Sequence, residues 1–399
     1  MFVLWLTATG APAASAIEHD PAPDEERLLL EALQADADRE DDDPRAARSS
    51  SAAAAAFQSM NPDISVILDV AGAWFSDTDH LQTGAHDPVR NGFNLQQLEM
   101  GIESNVDPFL RFNAYLVFSA AGVEVEEAYA TTLALPGRLQ LRAGQFLHRF
   151  GRVNATHPHA WHFVDQSIVI GKFFGPEGSR GLGIEFSWLL PLPWFAEVLT
   201  TVSDPVGGCC ARSFYGNENI ELRTPAEFLF TSALRQFFPF SDSTSLLWGL
   251  STQFGPNASG LGNRTAIYGT DLYLRYRPIA SANRASLSLQ TEWLVRSRQV
   301  PDDVLQDLGG YAQLVWQPRI RWETGLRYEF TSGVEDDPLD PEEDRERHRL
   351  AAQLTYYPSH FSRIRLQPFV DVPTWRADPI FGSFLALEVL VGAHGAHAF

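Results

Sequence analysis

Between Ile320 and Phe330 the chain alternates without a break, Ile320, Trp322, Thr324, Leu326, Tyr328 and Phe330 interleaving with Arg321, Glu323, Gly325, Arg327 and Glu329. Successive side chains of a β-strand point to opposite faces, so a strand here is apolar and aromatic on one side and ionic on the other. A soluble sandwich would bury the apolar side. A closed transmembrane barrel would turn it to lipid and leave the ions to line a watery lumen. The number of such strands and the spacing between them separates the two folds.

Composition removes other classes. The formal charge of -20 leaves no basic face for nucleic acid. No run of about eighteen apolar residues exists to make a membrane helix, and the most apolar stretch, Phe186 to Leu199, is interrupted by Pro191 and Pro193. Closed barrels are the other way to satisfy every backbone group in lipid, and alternation keeps their hydropathy modest.

Beyond Asn61 alternating segments recur, separated by two kinds of spacer. Short ones rich in turn formers fall at Asn105 to Pro108, Leu135 to Gly137, Leu190 to Pro193, Phe237 to Ser243, Pro278 to Asn283, Gln317 to Arg319 and Pro358 to Ser362. Mostly longer, more polar ones fall at Ser76 to Asn91, Ala120 to Gly122, His148 to Ser179, Asp204 to Pro225, Gly255 to Arg264, Arg298 to Leu308, Thr331 to Arg345 and Pro373 to Gly382. The two kinds interleave, which predicts an all-β, transmembrane antiparallel β-barrel of about 16 strands with both ends on the short-turn side. Trp74, Trp188, Trp194, Trp248, Trp293, Trp316 and Trp322 stand near segment ends, where interfacial girdles belong. Before the barrel, 61–399, residues 1–16 read as a signal-peptide remnant and 17–60 as an acidic, Ser/Ala-rich tail with a short amphipathic stretch.

The expected lumen face carries Arg111, Arg142, Arg275, Arg277, Arg321, Arg327, Arg349, Arg363 and Arg365, and with them Glu99, Glu103, Glu124, Glu126, Glu292, Glu323, Glu329 and Glu388. The arginines alone would suggest an anion ladder, since a guanidinium presents a planar fork to phosphate or carboxylate. Mixed signs favour pairing across the wall instead. The longest spacer, His148 to Ser179, holds Arg149, Arg152 and Lys172; folded inward it would form a constriction whose charges set selectivity. Its His157, His159 and His162 have spacings that would place two imidazoles on one zinc ion, and His394 with His397 form a second pair. Cys209 and Cys210 are adjacent, so a vicinal disulfide, a soft-metal pair and idle loop thiols all remain open. No nucleophile motif stands near His348 or His360, so no enzyme is expected.

Several runs carry a resemblance: Asn61-Pro62-Asp63-Ile64-Ser65, Glu126-Glu127-Ala128-Tyr129, Leu141-Arg142-Ala143-Gly144-Gln145-Phe146 with Gly151, Asn154, His157 and His159, Asp271 to Pro278, and Gly392 to Phe399. In these the chain resembles the outer-membrane porin-like family related to the phosphate-selective porins, in the branch often labelled zinc-regulated TonB-dependent outer-membrane receptor. The resemblance implies a barrel porin in the bacterial outer membrane, with a homotrimer common among the phosphate-selective relatives. Phe399 matches the parity of Leu385, Leu387, Val389 and Val391 and resembles the terminal aromatic read by the barrel-assembly machinery. The function expected is passive, charge-influenced diffusion of small hydrophilic solutes. The alternatives are a substrate-gated uptake channel or zinc-linked receptor, and a barrel that anchors partners and conducts nothing.

Overall fold

The computed structural model describes residues 62–119, 122–216, 218, 220–278, 285–341 and 343–392. The signal-like stretch, the acidic tail, His394, His397 and Phe399 lie outside the described residues. The strands run in sequence as β1 (Asp63–Phe75), β2 (Gly92–Asn105), β3 (Leu110–Ser119), β4 (Gly122–Thr132), β5 (Leu139–Leu147), β6 (Arg180–Leu189), β7 (Phe195–Ser203) and β8 (Leu229–Pro239). They continue as β9 (Thr244–Pro256), β10 (Arg264–Tyr276), β11 (Ser286–Val300), β12 (Asp303–Arg319), β13 (Trp322–Thr331), β14 (Arg347–Ser359), β15 (Ser362–Pro373) and β16 (Ile380–Gly392). Each pairs with its neighbour in sequence, and β1 closes the ring antiparallel to β16 with Ser65 opposite Gly392. Closure leaves no open edge to recruit another strand.

Two spacers differ from expectation. Gln317 to Arg319 is not a turn: β12 runs to Arg319, and the turn falls on Ile320 and Arg321. Pro318 sits where the β12–β13 register slips between Trp316 and Arg319, so the missing donor is absorbed by an irregularity in the ladder. Arg298 to Leu308 is likewise strand apart from Pro301 and Asp302, Asp302 taking a φ of 69° that Asp tolerates. Its Asp307 faces Arg296 across the ladder, with Nε to Oδ1 at 2.9 Å.

Side-chain alternation inverts the pattern of a water-soluble protein. On β13, Leu326 is 56 % exposed and Tyr328 45 %, whereas Arg327 and Glu329 are buried. The same holds around the ring: Leu272, Leu274, Trp293, Trp316, Trp322, Leu350, Leu354, Leu385 and Val391 all stand exposed on the outside. A continuous apolar belt of this size far exceeds the patches that water-soluble surfaces carry.

The ions are buried because the interior is filled. The segment between β5 and β6 turns inward and carries a short helix, α1 (Ile168–Phe174), which packs against β12 and β13. Ser167 caps it, its hydroxyl accepting from Val169 N, and Ile168 N donates to Glu329 at 3.1 Å. Among the described residues two apolar clusters form inside the barrel. One gathers Phe150, Ile168, Val169, Phe173 and Phe174 with Phe214, Ile267, Leu294 and Tyr311. The other sets Phe163 and Val164 against Ala71, Ala73, Phe75, Ala351, Phe369 and Phe384. Small inward residues on β1, β14 and β16 make room for the second.

Candidate functional site

The inward segment, 148–179, is the candidate site. Its two feet are tied together: His148 Nδ1 lies 2.8 Å from Ser179 Oγ, and Asn154 Nδ2 donates to the carbonyls of His148 (2.8 Å) and Ser179 (2.9 Å). Burial pushes the His148 imidazole down to about 4. The segment then crosses the lumen from wall to wall. Arg149 donates to Glu185 of β6 and Glu197 of β7, each at 2.9 Å. Arg152 donates to Gln290 at 3.3 Å and covers the Tyr273 ring, and Val153 N donates to Glu292 of β11 at 2.8 Å.

On the far side the row of wall arginines receives the segment. Arg363 donates to the carbonyls of His159 (2.6 Å) and Trp161 (2.9 Å), and Arg365 to that of Phe163 (3.0 Å). Glu388 of β16 balances both guanidiniums, standing 3.2 Å from Arg365. Asp165 is fully buried and joins three strands: it accepts from Arg327 Nη2 at 2.5 Å, Arg349 Nη2 at 2.6 Å and Gln367 Nε2 at 2.7 Å. Burial alone would raise its carboxyl, but Arg349 and Arg327 hold it below the ordinary range. Arg327, Arg349, Arg363 and Arg365 therefore grip the segment, and do not form a ladder open to a passing anion.

The remaining sequence candidates separate by position. Arg111 pairs with Glu103, which also accepts from Tyr115 at 2.6 Å, and Arg142 pairs with Glu185 at 3.0 Å with its guanidinium 4.1 Å from the Phe146 ring centre. Arg111, Tyr129, Arg142, Arg149 and Glu185 border an open basin of about 370 Å³. Arg275 and Arg277 border a second, of about 860 Å³, with Ser241, Asp242 and Ser243 of the β8–β9 turn. Arg277 and Arg321, expected on strands, both lie in turns. A cavity of about 70 Å³ remains between segment and wall, edged by Arg152, His162, Asp165, Gln290, Tyr311 and Arg327. Glu292 accepts from Tyr311 at 2.5 Å beneath it. Lys172, on α1, is buried and donates to the carbonyl of Glu343 at 2.9 Å, and burial lowers its pKa.

The three histidines do not share one place. His157 and His159 stack with ring centres 5.6 Å apart, while His162 turns to Glu323 at 3.0 Å. His157 sits among carboxylates: Nε2 is 2.8 Å from Glu127, and Nδ1 is 3.2 Å from Glu126 and 3.6 Å from Glu99. Burial opposes its protonation, yet Glu99 and Glu126 outweigh burial and hold its pKa well above the ordinary imidazole value. Glu126 and Glu127 both point inward although adjacent, because the β3–β4 register slips there, Tyr115 facing Glu127 and Leu116 facing Val125. The broken alternation in Val125-Glu126-Glu127 was a visible signal of that bulge. Asp165 gave no comparable signal, since it lies in an aperiodic spacer. Cys209 and Cys210 are joined as a disulfide, which excludes both the soft-metal pair and the idle thiols.

A closed ring of sixteen antiparallel strands, apolar outside and crossed inside by an ion-anchored segment, has the fold of outer-membrane porins. The chain belongs to the same family as an uncharacterized protein of Aquifex aeolicus (strain VF5), 32% identical over 391 residues that span 85% of this chain and 80% of the relative. No protein-family model matches it. Among solved structures it is similar to the outer membrane channel DcaP of Acinetobacter baumannii (TM-score 0.57, 11% identity, 83% of this chain and 97% of that one). It is also similar to OprB of Pseudomonas putida (0.55, 11%, 83% and 94%) and to an anion-selective porin from Comamonas acidovorans (0.53, 11%, 83% and 99%). At these identities the likeness concerns the fold.

Proposed function

We propose that the protein is an outer-membrane diffusion channel for small hydrophilic solutes, narrowed by the 148–179 segment. The observation that carries this reading is the combination of an apolar exterior with an ionic interior that a long segment crosses without leaving the barrel. Charged basins lie on the turn side, one of them bordered by Arg149 of the segment, and arginine outnumbers carboxylate in each: Arg275 and Arg277 against Asp242 in one, Arg111, Arg142 and Arg149 against Glu185 in the other. Selection would then rest on size at the segment, with the arginines of the basins favouring the entry of anions. Likeness to an outer membrane channel and to an anion-selective porin supports the same class.

A second reading, a gated uptake channel, is favoured by the apolar cluster around α1, which fills part of the lumen where water would otherwise run. Swelling of protein-loaded liposomes in sugars and amino acids of graded size separates the two. Immediate swelling, falling steeply with solute size, supports free diffusion. Swelling confined to one solute supports gating.

A further inference from the structure

We propose that Glu99, Glu126 and His157 bind a divalent first-row transition-metal ion, which clips the inward segment to the barrel wall. Glu99 comes from β2, Glu126 from the β4 bulge and His157 from the segment, so the site exists only when the segment is docked. Their ligating atoms all lie within 4.8 Å of one another. Glu99 Oε2, Glu126 Oε2 and His157 Nδ1 are buried, and they make no hydrogen bond of good geometry beyond the ion-pair approaches between imidazole and carboxylate. Buried polar atoms held only by such long contacts are costly inside a protein unless something else satisfies them.

The spacing fits a metal. Ligands about 2.0–2.2 Å from one tetrahedral ion stand roughly 3.3–3.6 Å apart. His157 Nδ1 is 3.2 Å from Glu126 Oε2 and 3.6 Å from Glu99 Oε2. Glu127 plays the positioning role: it lies 2.8 Å from His157 Nε2 and accepts Leu147 N at 2.6 Å, which leaves Nδ1 as the coordinating nitrogen. Arg180, the guanidinium nearby, is engaged with Glu124 and Glu177 and with the backbone carbonyl of Glu126. A cavity of about 20 Å³ borders Glu126, room for one water to complete the shell. Mixed imidazole and carboxylate donors favour zinc and its neighbours over calcium or magnesium. His162, bonded to Glu323, has no part in this set.

The test uses the full chain, folded in detergent and stripped with a chelator, titrated with Zn2+ against a competing chromophoric chelator. Expected is one Zn2+ per chain and a raised Tm, with affinity falling at least tenfold in Glu126→Gln and His157→Gln, about 10- to 100-fold in Glu127→Gln, and not at all in His162→Gln. Because His157→Gln also loosens the segment, Co2+ on the unmodified chain gives an independent reading: d–d absorption of a four-coordinate N/O site. Absence of stoichiometric Zn2+ binding, binding that survives both ligand substitutions, or absence of those Co2+ bands overturns the proposal.

Discussion

Replacing Asp165 with Ala should release the inward segment. The carboxylate holds Arg327 and Arg349 at 2.5 and 2.6 Å and Gln367 at 2.7 Å, with all three partners buried. Arg327 keeps Glu329, whose Oε2 lies 3.0 Å from its Nε, so its charge stays balanced. Arg349 keeps the more distant Asp371, at 4.0 Å, and the field of Asp87, with no other carboxylate in close ion-pair contact among the described residues. One buried guanidinium is thus left largely unpaired, and breaking a buried pair in this way costs about 3–5 kcal/mol. At 1.4 kcal/mol per factor of ten, the ratio of docked to released segment shifts by roughly two to three and a half powers of ten. Limited trypsin digestion of the folded protein reads this directly, because Lys172 is buried when the segment is docked. The variant should be cut after Lys172 under conditions that leave the unmodified chain intact, and its single-channel conductance should be larger and noisier. Asp378→Ala, at an exposed position in the β15–β16 loop, serves as the control. Identical digestion and conductance in all three proteins would refute the claim that Asp165 anchors the segment.

Three further outcomes are expected. Leu326→Arg, on the outward face of β13, should cost about 2–4 kcal/mol of folding free energy in vesicles if that face meets lipid near the midplane; a change under about 0.5 kcal/mol, usual at a watery surface, would count against it. His148, held down to about 4 against an ordinary value of 6.5, takes up its proton more readily unfolded than folded. Its contribution is therefore complete above about pH 6.5 and declines as pH falls toward 4, by about 2 kcal/mol at pH 5; thermal unfolding in detergent should weaken less between pH 7 and 5 in His148→Gln than in the unmodified chain, and equal slopes would contradict this. Arg363→Ala should expose the segment near His159 and Trp161 to protease, since Arg363 holds both carbonyls; unchanged protection would show that Arg365 suffices.

The ring was legible because barrel strands obey a strict period of two and their connections alternate in length. On β13 the outward Leu326 and Tyr328 and the inward Arg327 and Glu329 fall where that period puts them. The period fails where backbone geometry departs from it. Pro318 reads as a turn former, yet it sits in a slipped register within β12. Arg298 and Asp307 read as loop residues because both are charged, although they lie on adjacent strands and approach within 3.6 Å inside the barrel. The site was legible only in part. The 148–179 segment has the length and charge of a constriction, but its chief anchor, Asp165, lies in a stretch with no period. The inner apolar clusters were hidden by the small size of Ala71, Ala73 and Ala351.

Planar-bilayer recording tests the central claim most directly. Purified, folded protein added at neutral pH should give discrete, stepwise increases in current, with steps that grow when Asp165→Ala frees the segment. Correctly folded barrels that insert and yet pass no current at any applied potential would contradict the reading of this protein as a diffusion channel.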